Sequence, residues 1–145
     1  MDALDDWPEQ VGLDTNTLLE QVGLFAQDMI RRDGMLWPCG GAITPDGTLE
    51  PFALAPDDSL ATVDEALAFL LANVIQNRDL WRAVCLAVAV TLPDGDDALQ
   101  FNIEHVTGQC AAFIMRFRQT GPFRYVKFEP LACVLTDPVI WAPPG

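Results

Sequence analysis

Positive charge is scarce in this chain. Eight lysines and arginines and one histidine stand against twenty-one acids in 145 residues, a formal net charge of −13. A field of that sign repels nucleic acid phosphates and anionic lipid, so neither is an expected partner. A single histidine, His105, leaves acid–base catalysis near neutral pH with one candidate. The four cysteines, Cys39, Cys85, Cys110 and Cys133, form no CxxC pair and lie in four separate segments. That spacing excludes a zinc site of the usual kind and predicts free, mostly buried thiols. No cofactor-binding or metal-binding motif is present. The longest apolar run, Ala83–Leu92, is too short to span a bilayer. The opening "MDALDDWPEQ" has neither the basic nor the apolar stretch of a secretory leader, so a cytoplasmic location is expected.

Apolar residues, by contrast, are plentiful: 50% of the chain is hydrophobic and 20% charged, enough for a folded core. The length fits one domain over residues 1–145, with an acidic segment at 1–13 and a Pro-rich tail at 138–145. The charge is unevenly spread. Residues 1–65 hold fourteen acids and two bases, whereas residues 66–145 hold seven acids and six bases.

Asp14–Gly34 reads as a helix, with Leu18, Leu19, Val22, Phe25, Ala26 and Met29 as its apolar stripe. Thr15, Asn16 and Thr17 are candidate N-caps, and Thr17 with Glu20 makes a capping-box pattern. Arg31, Arg32 and Gly34 suit its C-terminal end. The stretch "PCGGAITPDGTLEPF" (Pro38–Phe52) resembles a ligand loop at first sight, but its glycines run into a second strand and no lysine follows. It reads as a hairpin around Pro45-Asp46-Gly47, with Gly40 and Gly41 marking a bulge or a close approach of strand and helix.

Pro56–Leu80 predicts a second helix, capped by Asp58, Ser59 or Thr62, with Val63, Leu67, Leu70, Leu71, Val74 and Ile75 inward. The run "WRAVCLAVAVTL" puts large residues on one side and small ones on the other, as in a central strand covered on both faces. "ALQFNIEHV" and "CAAFIMRFR" alternate as the next two strands. A three-residue Thr107-Gly108-Gln109 loop would pair Ile103 with Phe113, Phe101 with Met115 and Leu99 with Phe117. On the outer face it would pair Gln100 with Arg116 and Asn102 with Ile114. The last run, Phe123–Asp137, supplies one or two strands, interrupted by Pro130. The expected fold is therefore α+β, a single antiparallel meandering sheet with two packed helices in the order α-β-β-α-β-β-β-β.

Cys39 has no base near it in sequence, and Cys110 falls on the opposite strand face from His105, so a Cys–His pair is disfavoured. His105 is expected at a hairpin end, partly exposed and structural. "PDGDD" (Pro93–Asp97) looks like a fragment of a calcium loop but lacks the full frame and its closing glutamate. The remaining candidates are for partner binding. They are the loop acids Asp57, Asp58, Asp94, Asp96 and Asp97, the outer sheet residues Glu104, Arg116 and Arg118, and Trp81 as an aromatic anchor beside Trp7 and Trp37.

Size, acidity, an α+β pattern and the lack of a catalytic motif make this chain similar to the small acidic immunity proteins that neutralise bacterial toxins. That resemblance implies a non-enzymatic protein covering the cationic site of a basic protein partner. The order of elements also resembles that of profilin- and roadblock-like domains, which implies a homo-oligomeric adaptor or regulatory domain instead.

Overall fold

The computed structural model describes residues 7–53, 62–120 and 125–141. Helix α1 (Glu9–Asp33) is followed by strands β1 (Cys39–Ile43) and β2 (Leu49–Ala53), helix α2 (Val63–Gln76) and a 3-10 turn (Arg78–Leu80). Strands β3 (Ala83–Thr91), β4 (Asp97–His105), β5 (Cys110–Thr120), β6 (Tyr125–Phe128) and β7 (Ala132–Leu135) complete the chain. The strands form one antiparallel sheet in the order β2-β1-β3-β4-β5-β6, and β7 lies beside β6 along the same edge of β5. Glu129 and Pro130 lie between β6 and β7, where Pro130 was expected to make part of the run an edge or a bend.

The two helices cover opposite faces of the sheet. Small side chains on β3 (Ala83, Cys85, Ala87) face α1 with Leu99, Phe101, Ile103 and Phe113 in one buried cluster. Val84 and Leu86 face α2 and pack with Ala42, Leu70 and Val74 in a second cluster. A Cβ at Gly41 would come within 3.2 Å of Val22 Cγ2, so the glycine allows α1 to lie close on β1. At Gly40 it would meet the Cys85 carbonyl oxygen at 2.1 Å, so only glycine fits between the strands there.

Several local expectations need correction. Helix α1 begins at Glu9 after Pro8, not at Asp14, because proline suits a helix start and the buried stripe extends back to Val11. That stripe runs through Val11, Asp14, Thr15, Leu18, Val22, Ala26 and Ile30; Phe25 lies outside it and is exposed. The proposed caps at Thr15, Asn16 and Thr17 are therefore interior positions. Gly34 does end the helix, with φ 73° and its N–H donating to Ile30. Helix α2 is shorter than expected and is capped by Thr62, whose hydroxyl accepts from the Glu65 N–H at 3.1 Å; the alternative caps Asp58 and Ser59 lie outside the described residues.

The β4–β5 register differs by two residues from the expected one: Phe101 pairs with Phe113, Leu99 with Met115 and Gln100 with Ile114. The loop has three residues, as expected, but they are Val106, Thr107 and Gly108, closed by the His105 N–H donating to the Gln109 carbonyl at 2.9 Å. Gly108, at φ 105°, takes the left-handed position that such a loop requires third. Pro45-Asp46-Gly47 and Pro93-Asp94-Gly95 have the same construction, with Gly47 and Gly95 at φ 92° and 93°. A shift of two keeps every side chain on its face, which is why the core survives the error.

Candidate functional site

Among the described residues, the polar side chains that bear on the candidates gather at three places. The first is the end of the β4–β5 hairpin under the first turns of α1. Asp14 is 3% exposed and His105 5%. Arg82, just before β3, clamps Asp14 in a two-pronged contact, Nε to Oδ2 at 3.0 Å and Nη2 to Oδ1 at 2.9 Å. Its Nη1 donates to the Pro45 carbonyl at 3.2 Å. Gln10 donates to Asp14 Oδ1, and His105 Nε2 lies 3.1 Å from Oδ2. The other ring nitrogen, Nδ1, lies 2.8 Å from the Thr107 hydroxyl, which in turn donates to Gln109. Burial pushes the Asp14 carboxyl towards a higher pKa, but the hydrogen bonds from Arg82, His105 and Gln10 outweigh it and hold the pKa below its ordinary value.

An Asp–His–hydroxyl chain can in principle activate an oxygen nucleophile. Here the carboxylate that would stabilise an imidazolium is already matched by a guanidinium, and the hydroxyl is engaged by Gln109. The cluster joins α1, β3 and the hairpin end, residues far apart in sequence. His105 is therefore buried rather than partly exposed, because α1 starts early enough to lay Asp14 over it. Asp14 and Arg82 were not among the sequence candidates. The available signal was an acid in phase with Val11, Leu18 and Val22.

The second place is the opposite face of the same hairpin end. Glu104 is 7% exposed. Its Oε1 accepts from the backbone N–H groups of Val139 at 2.8 Å and Ile140 at 2.9 Å, and its Oε2 from that of Trp141 at 2.6 Å. Glu104 was placed on a wet outer face. The structure instead gives its carboxylate to the C-terminal segment, which folds back over β4.

The third is the β3–β4 turn. Arg116 Nη1 donates to Asp94 Oδ2 at 2.7 Å and to Asp96 Oδ2 at 2.8 Å, and Arg118 lies 3.9 Å from Asp96. Asp94, Asp96, Arg116 and Arg118 are thus brought together, as a cross-strand ion cluster. The Asp96 backbone N–H and then Arg116 hold the Asp94 carboxyl below its usual pKa. Asp97 opens β4 and is exposed. Asp57 and Asp58 lie outside the described residues.

The aromatic anchors are partly buried. Trp81 packs on the α2 cluster, and its indole N–H is buried without an acceptor among the described residues. Trp7 packs against the α1 cluster, and Trp37 is half-buried. No disulfide joins any of the four cysteines. Burial pushes the Cys39 thiol up to about 12 and, with the Glu104 and Asp137 charges, Cys110 to about 11; Cys85 moves in the same direction. Such thiols are poor nucleophiles. Cys110 sits opposite Glu104, on the other face from His105, as the alternation implied. Among the described residues no group of three or more His, Cys, Asp or Glu is placed to hold a metal, and no helix is long and apolar enough to cross a membrane.

No family model, curated protein or solved structure matches this chain.

Proposed function

We propose that this chain is a non-enzymatic acidic binding protein of the inhibitor or immunity type, which takes a basic protein partner by charge and shape. The observation that carries this reading is how the charges are used. Most of its cations are engaged within the chain: Arg82 on Asp14, Arg116 on Asp94 and Asp96, Arg32 on Asp28. Arg31 lies over the Phe128 ring, and Arg78 donates to the Ile140 carbonyl. Glu9, Glu20, Asp33, Glu50, Asp64, Asp79, Asp97 and Asp137 are exposed. The field outside the protein is therefore set by acids, which speeds encounter with a cation-rich surface and disfavours polyanions.

The test is capture of cationic toxin domains by the full chain across a salt series. Binding that is strong at low salt and weakens steeply as salt rises supports the reading. Absence of capture, or capture indifferent to salt, overturns it. A second reading, the homo-oligomeric adaptor, is favoured by one feature. Val134 and Leu135 on β7, with Leu131 and Val139 flanking it, are exposed by 40–55%. Light scattering behind size exclusion separates the two: a salt-resistant dimer without partner supports the adaptor, a monomer the inhibitor.

A further inference from the structure

On the α2 side, the described residues cover only part of the sheet. Beyond the helix, the face carries Gln100 and Asn102 from β4, Ala112 and Ile114 from β5, and Ala132 and Val134 from β7, aligned by the strand register. A cavity opens at each end of this strip. One, of about 310 Å³, lies under Leu67 and Leu71 of α2 and is closed by Cys110, Thr136, Asp137 and Val139. The other, of about 480 Å³, is bounded by Leu92 and Pro93 of the β3–β4 turn, by Ile114 and Arg116, and by the Phe128–Pro130 bend. The cavities are linked twice along the sheet, by Cys110 and Ile114 on β5 and by Ala132 of β7 with Thr136 just beyond its end. Four strand residues span about 13 Å.

Between the cavities the floor is polar in a particular way. Gln100 Nε2 donates to Asn102 Oδ1 at 2.9 Å, and both side chains are half-buried. That bond leaves Gln100 Oε1 and Asn102 Nδ2 without a hydrogen bond among the described residues. One carbonyl acceptor and one amide donor side by side match what an extended peptide presents from its backbone.

We infer that this trough binds an extended segment of the partner, with apolar side chains at positions i and i+4 in the two cavities and its backbone on the Gln100–Asn102 pair. In an extended chain, i, i+2 and i+4 face the same way, so the middle residue lies over the small Ala112 and must itself be small. The residues at i+1 and i+3 face outward. Asp137 and Glu129 stand at the two ends; Arg116 is matched by Asp94 and Asp96, and Arg118 lies 3.9 Å from Asp96, so that among the described residues Lys127 is the cation there without an ion pair. Basic residues at i+1 and i+3 therefore suit the rim. This assignment rests on the basic-partner reading above for the sign of the segment's charge, and on the trough alone for its apolar spacing.

The experiment titrates the isotope-labelled full chain with capped pentapeptides carrying Leu, Phe or Trp at both ends and Lys-Thr-Arg between, followed by NMR. A matching set carries Glu-Thr-Glu between. The expected result is that the basic set moves the Gln100 and Asn102 side-chain amides together with backbone signals of Cys110–Arg116 and Ala132–Val139. Asn102→Ala should weaken binding by at least about fivefold, the worth of one hydrogen bond, and the exposed Val134→Lys, which sets a cation beside the basic segment, should weaken it as well. No response up to about 1 mM peptide, the affinity floor of a useful contact, overturns the trough. So does a response of the basic set confined to acids elsewhere, which would leave the basic-partner reading intact. Equal response to both sets keeps the trough and overturns the charge assignment.

Discussion

Asp14 and Glu104 are both buried carboxylates at the same end of the β4–β5 hairpin, on opposite sides of the sheet, and they are satisfied by different means. Asp14 is held by side chains: a guanidinium, an imidazole and a carboxamide brought from positions as distant as Arg82 and His105. Glu104 is held by the three peptide N–H groups of Val139, Ile140 and Trp141. The first arrangement can be broken from either side, because each partner is itself a replaceable residue. The second can be broken only at the carboxylate, since no substitution short of proline removes a backbone donor. Asp14 therefore ties the fold to its charge state, and Glu104 ties it to the path of the chain.

Breaking the first arrangement should have the largest effect. Asp14→Ala leaves the Arg82 cation half-buried and the His105 ring without its acceptor. Removal of one partner of a buried ion pair costs about 3–5 kcal/mol, read as a drop in the denaturant midpoint at unchanged slope. Arg82→Met should approach the same loss, and the Asp14→Ala, Arg82→Met double variant should lose less than the two single variants added together. Additive losses would mean that the two residues act separately, and the comparison would fail.

Acid sharpens the contrast. The folded Asp14 pKa is below its unfolded value near about 3.9, so its contribution to stability is complete above that value and declines as the pH falls through the folded pKa. The protein should therefore lose stability more steeply below about pH 4 than Asp14→Asn does. Parallel stability curves for the two proteins between neutral and strongly acid pH would contradict this account.

Substitution at Glu104 comes next. Glu104→Gln keeps one oxygen acceptor but turns an amide NH2 towards a backbone donor, at a cost of about 1–3 kcal/mol. The loss should be local as well as global: amide exchange at Val139–Trp141 should quicken, while Asp14→Asn leaves those amides as protected as before relative to its own stability. Uniform exchange changes in both variants would show that the two carboxylates do not serve separate parts of the structure.

Much of the fold could be read from the sequence because hydrophobic period is a strong local signal. The face alternation of β3, β4 and β5 and the inward residues of α2 follow from it, and the Gly34 stop follows from the freedom of glycine to take a positive φ. Pairing was harder to read. The β4–β5 register depended on which residue closes the loop, and the clue lay in the other two hairpins: Gly47 and Gly95 are third in their loops, which places Gly108 third as well. The site was harder still. Glu104 and His105 alternate as a strand should, but nothing local states that both faces are covered at that point. The cover comes from Trp141 and Asp14, which are 37 and 91 residues away. Asp14 was legible only as an anomaly, an acid in an apolar stripe, and its importance depends on Arg82 arriving from the far side of α2.

The smallest effect is expected at the third charge cluster, which completes the comparison. Arg116 touches two carboxylates at 2.7 and 2.8 Å, shorter than any contact Asp14 makes. Distance alone would rank it above Asp14, yet its side chain is 40% exposed and Asp94 53%. Water and salt screen such pairs, and holding a long side chain in one geometry offsets much of the attraction, so exposed pairs contribute little. Arg116→Ala should therefore shift the denaturant midpoint only slightly, and the shift should vanish in high salt, whereas the Asp14→Ala loss persists. A loss at Arg116 as large as that at Asp14 would mean that contact length rather than burial decides the value of these carboxylates.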